Sequence, residues 1–247
     1  MNSGLYLLKF GMMLLLSFIP VENELKSDTR DVILKVPVLK INTYLMGMDE
    51  MDQDVYSNLQ NNIDYLNQEF EGKIGFELGN LHIDVNGAYL PDLYQNFYKG
   101  EGKLVNDLVA PIEHEGAVNV FVFHTYCNEG TDQALMGFTP VLRSAYHKYE
   151  SASPSFDRIY MAYEGLENQT TLVHEMGHFL GLKHPWEITE YEKKSIGIEH
   201  DNEEHNHMTY GNDVNHFTFQ QLEIMRKNAM KYRQYLADRI VSVSMQP

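Results

Sequence analysis

Residues 170–185 combine the residue types and the spacing that a catalytic metal site requires. The stretch reads Thr-Thr-Leu-Val-His-Glu-Met-Gly-His-Phe-Leu-Gly-Leu-Lys-His-Pro. His174 and His178 are four positions apart, so on an α-helix they share one face and can bind one ion. Glu175 lies on the same helix, where its carboxylate could act as a base. We therefore predict a helix that carries a zinc site.

The end of this motif supplies a third imidazole. Gly181 can adopt the left-handed backbone conformation with which many helices end, and Pro185 prevents the helix from continuing. A turn at Gly181 would bring His184 back towards the other two histidines. The alternative is a core helix whose histidines bind backbone carbonyls. Because five specified residues in this register rarely arise by chance, the motif favours zinc.

The composition is that of an acidic globular protein. Of 247 residues, 43% are hydrophobic and 12% are aromatic, which is enough for a packed core. The chain has 35 Asp and Glu against 19 Lys and Arg, a formal net charge of −16. Such a surface repels phosphate backbones, so we expect no nucleic-acid partner. It weakly favours basic peptides or divalent cations.

The first 20 residues resemble a secretory signal peptide. Lys9 precedes an apolar run over residues 10–19, and Pro20 closes that run. The run is short for a bilayer span, so we expect no stable membrane insertion once the segment is removed. The pattern predicts a secreted or extracytoplasmic protein, in the periplasm or at the cell surface, without an evident cleavage position. The alternative is a buried first strand or helix.

Cys127 is the one cysteine of the chain, so no disulfide can form within it. We expect a partly buried free thiol. A thiolate that blocks the zinc of an inactive precursor would need a cysteine in a removable segment. Cys127 instead lies well inside the region that is expected to fold.

Apolar residues predict alternating strands and helices before the histidine motif and mainly helix after it. Strands are predicted at residues 32–44, 74–78, 81–85, 118–126, 134–142 and 158–163, the first interrupted by Pro37 as at an edge or bulge. Helices are predicted at residues 55–70 and 101–110 and across the motif. Thr218 and Gln221 form a capping box for a last helix. Its apolar stripe comprises Leu222, Met225, Ala229, Tyr232, Leu236 and Ile240.

With the segment Asn206-His207-Met208-Thr209-Tyr210, the histidine motif resembles that of the metzincin zinc proteases, most closely the pappalysin and ulilysin (cytophagalysin) type. Phe217-Thr218-x-x-Gln221 and residues 134–140 support the narrower resemblance. It implies an α/β (α+β) metzincin-type zincin with a twisted mixed sheet, an active-site helix and a mostly helical C-terminal subdomain. We expect one catalytic domain over residues 21–247, with an N-terminal subdomain to about residue 184 and a C-terminal subdomain from about residue 185.

The resemblance also implies roles for six side chains. His174, His178 and His184 would be the zinc ligands, and Glu175 would be the general base. Met208 would form the hydrophobic floor beneath the metal, and Tyr210 would place a phenol near it. The alternatives are that Met208 is one of 13 methionines filling the core and Tyr210 one of 16 structural tyrosines.

Three departures from the family pattern stand out. Thr209 occupies the position where the family usually has aspartate, so that aspartate's role is missing or supplied elsewhere. The disulfide that relatives commonly carry near the methionine turn, which here is the segment around Met208, cannot form. The sequence also leaves little room for a sizeable pro-segment before the first strand.

The function implied is that of a secreted endopeptidase that hydrolyses protein or peptide substrates. Zinc would activate a water, Glu175 would take its proton, and Tyr210 would donate to the oxyanion. The edge strand around residues 135–139 could pair with an extended substrate. Two alternatives are a secreted zinc-binding protein of the same fold without turnover and a zinc hydrolase that acts on other bonds. The sequence predicts neither the natural substrate nor the oligomeric state.

Two further patterns permit other sites. Residues 199–205 carry several carboxylates that could hold calcium, although the composition favours a solvated acidic loop. Asn168-Gln169-Thr170 matches a glycosylation sequon. We interpret it as a helix start, with Asn168 or Thr170 as the cap.

Overall fold

Six strands form one mixed sheet in the computed structural model, which describes residues 32–48, 53–84, 109–114, 116–123, 136–139, 158–211, 213–232 and 236–245. The strands are β1 (Val32–Met46), β2 (Gly75–Asp84), β3 (Val118–Phe123), β4 (Gly137–Phe138), β5 (Arg158–Ala162) and β6 (Ala237–Met245). Their order is β2-β1-β3-β5-β4, and β6 also pairs with β1. β4 and β6 are antiparallel to their neighbours, and the other pairs are parallel. The predicted mixed α/β fold is confirmed.

Helices flank the sheet and dominate the second half of the chain. They are α1 (Gln53–Glu69), α2 (Tyr163–Glu167), α3 (Gln169–Phe179), α4 (Glu190–Ser195), α5 (His200–Glu203) and α6 (Phe219–Tyr232). A 3₁₀ turn covers Pro185–Glu187. No helix within the described ranges is both long and apolar enough to cross a membrane.

The core lies between the sheet and the pair α1 and α3. The predicted helix at residues 55–70 is confirmed as α1, whose buried face includes Leu59, Ile63 and Leu66. These side chains join one buried cluster with residues of β1, β3, β5 and α3. Gly72 follows α1 with φ of 67°, a conformation that glycine adopts without strain. The hydrophobic effect thus fixes α3 against the sheet and α1.

The first strand runs through Pro37 without a break. At this position β1 pairs with Ile240 of β6, and the partners from β2 and β3 begin only at Val38 and Ile41. Pro37 therefore needs no ladder hydrogen bond on the side of β1 that faces away from β6. The register with β6 shifts between Val38 and Leu39, next to the proline, as the predicted bulge requires.

The prediction of two strands at residues 74–78 and 81–85 is wrong, because β2 is one strand with an irregularity in its middle. The register between β1 and β2 shifts between Ile41 and Thr43, opposite Gly79 and Asn80. The buried side chain of Asn42 accepts a hydrogen bond from Asn80 N at 2.8 Å. This bond replaces the missing ladder bond, so the strand continues through residues that are typical of a turn.

The last helix is shorter than predicted. Thr218 and Gln221 form the expected capping box, since Gln221 Oε1 accepts from Thr218 N at 2.9 Å and Thr218 Oγ1 accepts from Gln221 N at 3.1 Å. The helix ends at Tyr232, and Ile240 lies on β6, 40% exposed. Residues 240–244 combine β-branched residues with serine, which favours a strand. They pair with the first part of β1, which precedes the pairing of β1 with β2.

Several predictions concern residues outside the described ranges. They are the signal-like residues 1–20, Cys127, residues 101–108 of a predicted helix, residues 124–126 after β3, and the ends of the predicted edge strand at 134–135 and 140–142. Within the described part, that edge strand is present as β4, paired with β5. β3 and β5 confirm the predicted strands from residues 118 and 158.

Candidate metal centre

The motif helix α3 has a defined beginning and end. Asn168 is its N-cap, because its Oδ1 accepts hydrogen bonds from Thr170 N at 3.1 Å and from Thr170 Oγ1 at 2.7 Å. At the other end Gly181, with φ of 97°, donates from its N–H to His178 O at 2.9 Å, and Leu182 N donates to Gly177 O at 2.9 Å. This pair of bonds is a Schellman motif, so the chain reverses where the sequence predicts.

After the reversal, three imidazoles converge. The Nε2 atoms of His174 and His178 are 3.1 Å apart, those of His178 and His184 are 3.0 Å apart, and those of His174 and His184 are 3.3 Å apart. The predicted ligands thus lie together at the end of α3. Within the described ranges, they are the one group of three or more His, Cys, Asp or Glu side chains that could hold a metal ion.

The other nitrogen of each ring fixes its orientation. His174 Nδ1 donates to His207 O at 2.6 Å, and His178 Nδ1 donates to Leu182 O at 2.9 Å. His184 Nδ1 donates to Glu187 Oε2 at 3.0 Å. Because Nδ1 carries the proton in each neutral ring, Nε2 presents a lone pair. Three lone pairs therefore face one another and cannot form hydrogen bonds among themselves.

The surroundings keep these rings neutral. Burial, followed by the neighbouring His178, lowers the pKa of His174 to about 3. Burial and the neighbouring His184 lower the pKa of His178 to about 3. The pKa of His184 is also lowered, first by burial, although the nearby Glu187 opposes this shift. Neutral imidazole is the form that binds metals, so the rings have the right protonation state at neutral pH.

The donor set fits zinc. Zn–N bonds of 2.0–2.1 Å at tetrahedral angles place the ligand nitrogens about 3.3 Å apart, close to the three distances found here. Each ligand also has the hydrogen-bonded partner on its second nitrogen that metal-binding histidines usually have. Three protein ligands leave one tetrahedral position for water or substrate, which is the arrangement of catalytic zinc sites.

Glu175 follows His174 on α3 and is 5% exposed. Its Oε2 is buried without a hydrogen-bond partner among the described residues. Burial raises the pKa of Glu175 to about 8. The carboxylate packs on β4, since a Cβ on Gly137 would lie 2.8 Å from both Cγ and Oε1 of Glu175. Glycine at this position therefore allows the edge strand and the acid to approach each other.

Met208 is fully buried against the motif helix. A Cβ on Gly177 would collide with Met208 Sδ, so the thioether lies directly on the helix backbone between His174 and His178. Met208 N donates to Asn206 Oδ1 at 3.0 Å, which closes the turn. Thr209 donates from its hydroxyl to Asn206 O at 2.8 Å and so supports the same turn.

A pair of buried amides ties this turn to α6. Asn206 Nδ2 donates to Gln221 Oε1 at 2.7 Å, and Gln221 Nε2 donates to Asn206 Oδ1 at 3.1 Å. Both side chains are completely buried. Since Gln221 also caps α6 with Thr218, the last helix and the methionine turn share one hydrogen-bonded network.

Two aromatic rings cover the histidines from the solvent side. The ring centroid of Tyr210 is 5.5 Å from that of His174 and 5.1 Å from that of His184. Trp186 stacks on His184 with centroids 4.3 Å apart and rings 10° from parallel. Tyr210 is 73% and Trp186 54% exposed, so both present aromatic surface where a substrate would reach the histidines.

Four of the side chains that shape this centre were not predicted from the sequence: Glu69, Trp186, Glu187 and His207. Glu187 could have been found, because a carboxylate three residues after a predicted ligand is a common partner for its second nitrogen. Trp186 was visible as the one tryptophan, adjacent to the motif. The contact of Glu69 with His207 joins residues 138 positions apart and had no signal in the sequence.

The acidic segment offers no calcium site within the described residues. It forms the short helix α5, and Glu203 pairs with Lys193 at 2.9 Å. Glu204 is exposed, and its Oε1 lies 3.5 Å from His205 Nε2. The structure thus gives the expectation of calcium no support.

Comparisons with known proteins point to one family. A family model, peptidase M43, described as pregnancy-associated plasma protein-A, matches residues 112–237, just over half of the chain. The comparison with curated protein sequences finds no match.

Two solved structures are similar at low identity. Metalloproteinase-II from Bacteroides fragilis is 12% identical with a TM-score of 0.48; the match covers 78% of this chain and 53% of that one. A structure described as a chaperone-substrate complex is 13% identical with a TM-score of 0.49; the match covers 81% of this chain and 36% of that one. The chain thus spans about half the length of the first.

Glu187→Ala should weaken zinc binding, because it removes the acceptor that holds the His184 ring. We expect the dissociation constant for zinc to rise by about 10- to 100-fold, measured by competition with a chromophoric chelator. Glu190→Ala is the matched control, since Glu190 is exposed and pairs with Lys193. Equal zinc affinity in the Glu187 variant and the wild type would contradict this role.

Proposed function

We propose, since the chain belongs to the peptidase M43 family of metzincin-type zinc metalloproteases, that it is a zinc endopeptidase with Glu175 as general base. One observation carries the proposal. Three lone-pair nitrogens lie 3.0–3.3 Å apart, and the residue after the first of these histidines is a buried glutamate whose Oε2 has no hydrogen-bond partner among the described residues. A purely structural zinc site needs no such carboxylate and usually has four protein ligands.

His174, His178 and His184 would hold the metal. Zinc bound there supplies a Lewis acid, lowers the pKa of a neighbouring water to about 7, and as a dication favours the ionised form of Glu175. The side chains on this chain then have separate tasks. The histidines stay neutral because burial lowers their pKa, and their Nδ1 protons are held by His207 O, Leu182 O and Glu187 Oε2, which leaves each Nε2 for the metal.

Glu175 moves the proton. Its Oε2 accepts a proton from the attacking water as the water oxygen bonds to the peptide carbonyl carbon. The carboxyl group then gives this proton to the amide nitrogen, because an amine anion is too poor a leaving group to depart unprotonated. The C–N bond breaks to give a carboxylic acid and an amine, and the acid then loses its proton to the amine or to solvent. No covalent bond to the protein is formed in this sequence.

The strand β4 would hold the substrate in place. Gly137 and Phe138 pair with β5, and β4 is the last strand in the order β2-β1-β3-β5-β4. An extended peptide can add to such an edge through main-chain hydrogen bonds, which tolerate many sequences. Because Gly137 packs on Glu175, a peptide bound along β4 passes close to the base.

Glu175→Gln should abolish proteolysis while zinc stays bound. The amide has the shape of the carboxylate but accepts no proton, so we expect the cleavage rate of a quenched peptide to fall by about 10²- to 10⁴-fold. Glu164→Gln, an exposed acid of α2, is the control and should keep full activity. Activity that persists in Glu175→Gln or after metal chelation would contradict the proposed mechanism. A wild-type protein that binds zinc but cleaves no peptide would be the non-catalytic binding protein instead.

Tyr210 is proposed as the donor to the oxyanion, because its ring lies over two of the three histidines. Tyr210→Phe keeps the ring and removes the hydroxyl, so we expect kcat to fall by about 10²-fold with little change in KM. Tyr191→Phe, 83% exposed on α4, is the control. An unchanged kcat in Tyr210→Phe would show that the hydroxyl takes no part in the reaction.

Export from the cytoplasm is proposed from Lys9 and the apolar run over residues 10–19. We expect the protein outside the cytoplasm to begin after about residue 20, as measured by mass spectrometry of its N-terminus. Full-length chain that starts at Met1 and remains in the cytoplasm would contradict this proposal. The test is independent of zinc binding and activity.

A further inference from the structure

A buried pair, Glu69 and His207, joins the end of α1 to the methionine turn. His207 is completely buried, and its Nε2 lies 2.8 Å from Glu69 Oε2. The Glu69 side chain is itself only 10% exposed. Since 138 positions separate the two residues, the contact depends on the folded structure and links the first helix to the site.

The backbone of His207 orients a zinc-site histidine. Its carbonyl oxygen accepts from His174 Nδ1 at 2.6 Å, and its N–H donates to His216 O at 2.9 Å. The side chain that binds Glu69 and the carbonyl that binds His174 therefore belong to the same residue. The contact with Glu69 thus anchors the residue whose carbonyl sets the ring of His174.

Glu69 is the polar partner that holds this imidazole. The His207 ring packs beside the rings of Tyr65 and Phe217, with centroids 6.2 and 4.8 Å away. Its Nδ1 is buried and has no hydrogen-bond partner in the described part of the chain, so Nδ1 carries the lone pair and Nε2–H donates to Glu69. Without an acceptor at Glu69, a buried N–H would lose its hydrogen bond.

A second group contacts the same carboxylate. The pKa of Tyr65 is raised, first by burial and then by the charge of Glu69 and a hydrogen bond with it. Glu69 therefore serves both Tyr65 on its own helix and His207 on the turn.

We propose that Glu69 is a positioning residue for the zinc site and that it acts through His207. It holds the His207 side chain, the His207 carbonyl holds the Nδ1–H of His174, and His174 Nε2 thereby keeps its place among the three converging nitrogens. The inference rests on the proposed zinc site, but not on cleavage of any substrate.

Glu69→Ala tests the inference through zinc binding. We expect the dissociation constant for zinc to rise by about tenfold, the lower end of what loss of a ligand-orienting partner costs. In Glu69→Gln the amide oxygen accepts the same hydrogen bond, so this variant should bind zinc within about threefold of the wild type. If Glu69→Ala does not fold, Glu69→Asp, one methylene shorter, replaces it and should also weaken zinc binding.

Two controls separate positioning from general stability. Leu59→Ala removes a buried side chain of the same helix, ten residues and about 15 Å from Glu69. It should lower the melting temperature but keep the zinc affinity. Asp64→Ala removes an exposed carboxylate of the same helix and should change neither quantity.

Cobalt substitution gives the spectroscopic result. The visible absorption bands of Co²⁺ depend on ligand geometry, so they should shift in Glu69→Ala and return to the wild-type positions in Glu69→Gln. Wild-type zinc affinity and an unchanged cobalt spectrum in Glu69→Ala, with only a lower melting temperature, would overturn the inference. A wild-type chain that binds zinc but cleaves no peptide would refute the proposed activity and leave this test intact.

Discussion

Three imidazole nitrogens held within 3.3 Å of one another impose the main constraint on this molecule. Neutral lone pairs at that distance repel one another, so their approach must be enforced by other contacts. The Nδ1 hydrogen bonds of His174, His178 and His184 enforce it, each from a different segment. The acceptor oxygens lie on the methionine turn, on the turn after α3 and on the 3₁₀ turn. The fold around the site can be understood as the structure that keeps these acceptors in place.

The sheet, α1 and the last helix supply that support. Burial of α3 against the core fixes the first two histidines and brings β4 onto Glu175. The amides of Asn206 and Gln221 tie the methionine turn to α6, while Glu69 ties it to α1. The geometry of the site on α3 thus depends on residues from both halves of the chain.

The sequence predicted local features well and distant contacts poorly. The resemblance to the pappalysin type is confirmed by the family match, and the helix start at Asn168 and the turn at Gly181 agree with the structure because short-range chemistry determines them. The stripe ending at Ile240 failed because pairing with β1 overrides helical periodicity. The prediction of a break between two strands at Gly79 was wrong because the side chain of Asn42, on β1, hydrogen-bonds to the irregular part of β2. The residues that orient the histidines, such as His207, have no local signature.

X-ray absorption at the zinc edge of the purified, folded protein tests the central claim most directly. The account predicts one zinc per chain, with three imidazole nitrogens at about 2.0–2.1 Å and one further light ligand. Replacement of His184 should remove one imidazole from that spectrum. Folded protein that retains no zinc, or zinc bound without three imidazoles, would contradict the account.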